Sequence, residues 1–230
     1  MYAKIKPWSF EKDFFMTKQL KVLLFNGSPN KEGCTYTALK EIANTLKEEG
    51  IDSLIYHAGI EAIAPCRACG ACIKLGKCVI NDKVNEFVEL AKDYDGFIIG
   101  SPVHYASASG ATVAFLDRVF FSAFRSGRGN IFAHKPGAAI ASARRAGTTA
   151  TLDQLNKYFT INQMGLVSGR YWNMVHGSSP NEVLKDSEGI QNMRFLARNM
   201  AWTLKCIESA KEAGIEPPKQ EEVIYTNFIR

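Results

Sequence analysis

Short apolar runs closed by glycine, serine or proline alternate along this chain with longer stretches of helical spacing. The first run, Lys21-Val-Leu-Leu-Phe-Asn26, meets a Gly-Ser-Pro turn and reads as a buried strand. Residues 35–49 place Leu39, Ile42, Ala43 and Leu46 on one helical face and stop at Gly50. Residues 51–57 read as a second strand, and residues 63–80 as a loop. Asp82 suits the cap of a helix with Val84, Phe87, Val88 and Ala91 on its apolar side. A third strand over 96–100 ends in Ser-Pro, and a helix over 110–121 follows. Then come a strand over 136–142, a helix over 148–159, the start of a fifth strand at 165–168 and a long helix over 190–213. Strands alternating with helices predict an α/β fold. Its five-stranded parallel sheet carries helices on both faces, with a cysteine-rich insertion after strand two and no internal repeat.

Residues 1–19 read as an irregular arm whose Trp8, Phe10, Phe14 and Phe15 suit packing on a second subunit. Residues 20–214 form the domain, and 215–230, opening near a Gly-Ile-Glu-Pro-Pro stretch, form a surface extension. The arm is charged throughout and lacks the apolar core of a secretion signal. No apolar run reaches the roughly 18 residues of a spanning helix. The expectation is a cytoplasmic protein without a membrane partner. Hydrophobic content of 46% against 22% charged suffices for a sizeable core. A net charge of +5 without a clustered basic stripe argues against a nucleic-acid partner and suits an anionic small molecule.

Four of the six cysteines are bunched as Cys66-Arg-Ala-Cys69-Gly-Ala-Cys72, with Cys78 shortly after. Four thiols so close can converge on one inorganic centre. Two-residue spacers followed by a fourth cysteine approach the ligand pattern of an iron–sulfur cubane. Structural zinc usually takes two CxxC knuckles further apart. Reduced thiols without a metal are the third reading.

In an open α/β sheet, ligands bind beyond the carboxyl ends of the strands. Three loops there share one chemistry. After strand one, the run 27–37 offers small and hydroxyl residues and leads straight into a helix, which suits an anion. It is neither GxGxxG nor a P-loop. A simple helix cap by Ser28 or Thr35 is the alternative. After strand three, Ser101-Pro102-Val103-His104-Tyr105 offers amides and one aromatic ring to a flat heterocycle. His104 alone reads more readily as a solvated or capping residue than as a catalytic one, and no catalytic side chain is assigned. After strand four, Ala143-Arg144-Arg145-Ala-Gly147-Thr148 suits an anionic ring edge or a phosphate, with a pair of surface charges as the alternative.

Together these stretches resemble the flavodoxin-like NAD(P)H-dependent FMN reductases and, within them, the iron–sulfur flavoproteins. The resemblance covers about residues 20–205. Gly27-Ser28-Pro29-Asn30 to Thr35 resembles the FMN phosphate loop; Asn30 stands where the family carries arginine, and Cys34 where it carries asparagine. Ser101 to Tyr105 resembles the isoalloxazine loop, Ala114 to Arg118 the helix after it, and Arg144 to Thr148 the third flavin loop. The resemblance implies a flavodoxin-like fold and FMN held by Ser28, Asn30, Cys34, Thr35, Tyr36, Thr37, Pro102, Val103, His104, Tyr105, Ala143, Arg144, Arg145, Gly147 and Thr148. It implies a 4Fe–4S cluster on Cys66, Cys69, Cys72 and Cys78, lying near the flavin edge, and NAD(P)H or a ferredoxin-like donor. The acceptor is expected to be a small molecule or a redox protein. The assembly is expected to be a homodimer or homotetramer, in which Trp172 and Asn173 could complete a neighbour's pocket. A cluster-free quinone, azo or nitro reductase and a zinc-stabilised binding module without flavin are the alternatives.

Overall fold

Five parallel strands run in the order β2-β1-β3-β5-β6 in the computed structural model of the chain. The structure describes residues 18–127, 130–222, 224, 226 and 228; Trp8, Phe10, Phe14 and Phe15 lie outside the described residues. The strands are β1 (Lys21–Asn26), β2 (Asp52–His57), β3 (Gly96–His104), β5 (Gly137–Ala143) and β6 (Met174–His176), and a short β4 (Ser107–Ala108) pairs antiparallel to β3. The helices are α1 (Cys34–Glu48), α2 (Ala71–Leu75), α3 (Lys83–Ala91), α4 (Gly110–Arg125), α5 (Thr148–Ile161), α6 (Pro180–Val183) and α7 (Ser187–Glu212). The fold is the expected flavodoxin-like α/β arrangement, and the strand order reverses between β1 and β3.

Alternation along β1 explains both layers, because successive side chains point to opposite faces. Val22 and Leu24 face Leu39, Ile42, Met193 and Met200 of α1 and α7. Leu23 and Phe25 face Phe87, Phe115 and Leu116 of α3 and α4. The Phe25 and Phe115 rings stack with centroids 4.3 Å apart, and burying such rings is a large part of the core's stability. Asp82 caps α3 as expected, accepting from the Val84 N–H at 3.1 Å.

Three expectations need correction. The segment 165–168 makes only a bridge, Leu166 against Gly137. The chain then leaves the sheet and returns as β6. The apolar pair Leu166-Val167 is too short to hold a strand through the polar Gly169-Arg170, and Asn173 replaces the missing ladder. Its carboxamide donates to the Ala139 carbonyl at 3.1 Å and accepts from the Gly169 N–H at 2.9 Å. Asn173 is therefore buried framework ahead of β6, while Trp172 is exposed beside it. Second, β3 runs on to His104 and turns back as a hairpin through Tyr105 and Ala106, both at positive φ (50° and 59°). Third, the cysteine segment contains the short helix α2.

Candidate functional site

Loops after β1, β3 and β5 meet at the carboxyl edge of the sheet, where its order reverses. Backbone and hydroxyl contacts lock them together. The Gly27 N–H donates to the Gly100 carbonyl at 2.8 Å. The Gly27 carbonyl in turn accepts from the hydroxyls of Ser109 and Thr112, both at 3.1 Å. A Cβ on Gly27 would come within 2.0 Å of Thr112 Oγ1, so this approach needs glycine. The Thr35 and Ser142 hydroxyls, both buried, are 2.7 Å apart and join the first loop to the third. Gly147 (φ 95°) lies so close to the hairpin that a Cβ there would meet Ala106 Cα at 2.6 Å. Gln154 on α5 accepts from the Ser107 hydroxyl and the Ala108 N–H, pinning the hairpin from the other side.

Within this frame the expected flavin residues divide into two sets. Thr35, Thr37, Thr148 and Cys34 spend their side chains on the fold. Thr37 Oγ1 donates to the Gly33 carbonyl, Thr148 Oγ1 to the Met174 sulfur, and Cys34 Sγ points at the Gly177 carbonyl at 3.6 Å. Burial, with a smaller push from Glu182, holds the Cys34 thiol above its ordinary pKa. Ser28 Oγ accepts from the Asn30 N–H, which leaves its own proton free to donate. A His57 ring N–H donates to the Ser28 carbonyl at 2.8 Å; a carbonyl only accepts, so the ring nitrogen carries the proton. The other set faces outward. Asn30, His104, Tyr105, Arg144 and Arg145 are exposed, Tyr36, Pro102, Val103 and Gly147 half-buried, and Ala143 closes the floor. Neither arginine has an ion-pair partner among the described residues.

Among the helices of eight or more residues, capping sets these loops apart. The helices α3, α4 and α7 begin with side-chain caps from Asp82, Ser109 and Asp186. The helices α1 and α5 begin with Gly33 and Gly147 and have no side-chain cap. Both open at the shared loop edge, so their uncapped N–H groups and the positive ends of their dipoles meet there. Ser28 and Thr35 do not cap α1, which removes the simple-cap reading of the first loop.

The cysteine segment packs on α4 further along that helix. Cys66, Cys69, Cys72 and Cys78 all line one small cavity of about 30 Å³, with Arg118 and Phe121 of α4 in its wall. All four are free thiols. Cys72 is buried; burial first, and then the neighbouring thiols, push its pKa up. Arg118 is buried and sends Nε–H to Cys78 Sγ at 3.3 Å. Burial works against its charge, and hydrogen bonds to Asp82 and Cys78 more than offset that. Among the described residues no three ligands are gathered tightly enough to hold a single metal ion. A cubane takes one thiolate at each of four irons, so its thiols stand further apart than those round one ion. Four thiols on one cavity are the donor number and type that a cubane takes. From Ser109 to Arg118, whose side chain touches Cys78, the helix advances about 13 Å. An apolar cavity of about 360 Å³, walled by Phe120, Phe124 and Tyr158, opens beyond Cys66.

Residues 20–179 match the NADPH-dependent FMN reductase family. The chain belongs to that family. An iron–sulfur flavoprotein of Methanocaldococcus jannaschii is 31% identical over 197 residues, 82% of this chain and 100% of that one. An iron–sulfur flavoprotein of Methanosarcina thermophila is 26% identical over 195 residues, 84% of this chain and 100% of that one. Among solved structures, RosB with a bound 8-demethyl-8-formylriboflavin-5'-phosphate superposes with TM-score 0.65 at 12% identity, covering 92% of each chain. An archaeal flavodoxin superposes with TM-score 0.54 at 12% identity, covering 81% of this chain and 99% of that one. These two likenesses show the shared fold. Among the described residues, no helix of this FMN reductase family member is long and apolar enough to cross a membrane.

Sequence reasoning missed the residues that lock the loops. Asn26, Ser101, Ser109 and Gln154 read as ordinary strand, turn and helix positions; yet the Asn26 carboxamide accepts from the Ser28 N–H and donates to the Lys31 carbonyl, and the Ser101 hydroxyl accepts from the Ser109 N–H. Arg118 was visible as part of a family-like helix, with no signal of the thiols it touches.

Proposed function

We propose that this chain is an FMN-dependent oxidoreductase or electron-transfer flavoprotein that holds FMN across the three loops and a 4Fe–4S cluster on Cys66, Cys69, Cys72 and Cys78. The observation that carries the reading is the pair of uncapped helix starts, α1 and α5, opening on loops that are otherwise tightly bonded. A helix start without a capping side chain favours a bound anion.

The phosphate is taken by the N–H groups at the start of α1, with the free proton of Ser28 and the side chains of Asn30 and Tyr36 at its rim. The Val103–Tyr105 segment offers amides and the exposed Tyr105 ring to the flat heterocycle. The start of α5 and the unpaired Arg144 and Arg145 place positive potential at the ring's anionic edge, which favours the reduced form. Bound FMN would supply hydride acceptance and single-electron return, with NAD(P)H or a ferredoxin-like protein as donor. The four thiolates would hold a cluster that passes one electron at a time, toward a small molecule or a redox protein. A homodimer or homotetramer in which a neighbour approaches the thiols suits the transfer.

Heat release and chromatography identify the flavin, and FMN is expected. Mainly FAD, or no flavin after reconstitution, would overturn the first half. Anaerobic reconstitution with iron and sulfide, followed by metal analysis, tests the second. About four irons per chain are expected for one cubane. Stoichiometric zinc, or no iron, would leave a cluster-free reductase.

A further inference from the structure

Arg118 is among the largest fully buried side chains, at 1% exposure, and all five of its N–H groups are engaged. Nε donates to Cys78 Sγ at 3.3 Å. Nη1 donates to the Ala64 carbonyl at 3.3 Å and to Asp82 Oδ2 at 2.6 Å. Nη2 donates to the Ile80 carbonyl at 3.0 Å and to Asp82 Oδ1 at 2.8 Å. Ala64 lies just before Cys66, and Ile80 just after Cys78. One guanidinium thus ties together the two ends of the cysteine segment and touches the last of its sulfurs.

We propose that Arg118 is the positioning residue of the four-thiol site: it closes the base of the segment 64–80 and aims Cys78 Sγ into the shared cavity. This rests on the reading of the four thiols as one metal site. Asp82 takes up the arginine's charge through a bidentate pair, so the fork is fixed in plane and only Nε is left for the sulfur. A cationic N–H at a sulfur favours negative charge there, which is the state of a metal-bound thiolate. Asn85 reinforces the same point by accepting from the Cys78 N–H at 3.1 Å and donating to the Cys78 carbonyl at 2.9 Å. Lysine cannot replace this fork, because a single ammonium has no planar set of five donors. Cys72 is already held by its burial on α2; Cys66 and Cys69 are exposed and depend on the closed base for their place.

The test compares the full-length wild type with Arg118→Lys and Arg118→Met, each checked for bound FMN as a measure of folding. Alkylation of each cysteine in the metal-free protein is followed by mass spectrometry, with exposed Cys206 on α7 as internal reference. At a pH high enough to ionise every thiol, both variants should label Cys78 about tenfold faster relative to Cys206, as expected when a local structure opens. After anaerobic iron and sulfide treatment, both should hold less iron per FMN, and the cluster retained in Arg118→Lys should show a shifted reduction potential. Unchanged Cys78 labelling together with an unchanged potential in Arg118→Lys overturns the proposal. If the wild type takes up no iron, the metal reading fails and the labelling alone decides the positioning role. If Arg118→Met does not retain FMN, Arg118→Lys and Asp82→Asn decide it by the same two measurements.

Discussion

The hydroxyl of Thr35, at the start of α1, lies 2.7 Å from that of Ser142, at the end of β5, and both side chains are buried. Two strands that are not neighbours thereby have their loops coupled by one hydrogen bond across β3. Thr35→Val should leave Ser142 unpaired in the interior and cost about 1–3 kcal/mol. Thr35→Val with Ser142→Ala should cost less than the sum of the two single changes, because the orphaned partner is gone. Urea unfolding of the four proteins checks this, and strict additivity would show the contact to be idle. FMN affinity should fall in the single variants, since the loops lose their mutual reference.

Gly147→Ala addresses the contact between the third loop and the hairpin. The residue sits at φ 95°, and a Cβ would meet Val103 Cγ1 at 2.8 Å as well as Ala106. Holding alanine in such backbone costs about 1–3 kcal/mol before any clash is relieved. The hairpin turn already carries two residues at positive φ and has little freedom to move away. Weaker FMN binding, by tenfold or so for each 1.4 kcal/mol lost, is the expected result in a flavin fluorescence titration. An unchanged dissociation constant would place the flavin away from this contact.

Much of this architecture is readable from residue order. β1 and the two long helices, α1 and α7, stand within a few residues of where apolar spacing puts them, because each buries a continuous face. The capping role of Asp82 is equally legible, since a local hydrogen bond decides it. The position of β6 is not: its pairing depends on Asn173 and Asn192, whose polar side chains replace a ladder that no period describes. The loop residues of the site are legible as a set, while the division between those facing out and those bonded inward is not. Thr35 and Thr148 look like phosphate ligands in sequence and are committed to Ser142 and Met174 in space.

Arg145 stands at the opposite extreme, exposed and without an ion-pair partner among the described residues. An unpaired cation at the rim of an uncapped helix start has its largest effect on an anionic ligand. Arg145→Glu should weaken FMN binding by about 1.5 kcal/mol, near the low end for a charged hydrogen bond because the site faces water. It should also lower the flavin's reduction potential, since the reduced ring carries the negative charge. Equal affinity and potential in variant and wild type would reduce Arg145 to a surface charge. High salt should narrow the difference.

Lys135 gives a prediction that is independent of any cofactor. Its ammonium lies 5.6 Å from the centroid of the Phe97 ring and 3.4 Å from the Ala91 carbonyl. Burial lowers its pKa from the ordinary 10.5, with Asp95 working in the other direction. The folded chain therefore binds this proton less tightly than the unfolded chain does. Between the lowered pKa and 10.5 the unfolded state holds more protons, so this group's contribution to stability rises with pH through that window. Lys135→Met removes the titrating group and its desolvation cost together. The variant should gain most over wild type at about pH 8, and that advantage should shrink toward about pH 10, where the wild-type penalty fades. Urea unfolding of both proteins at the two pH values checks the sign. A gap that stays constant across the window would mean that Lys135 reaches water and feels no burial.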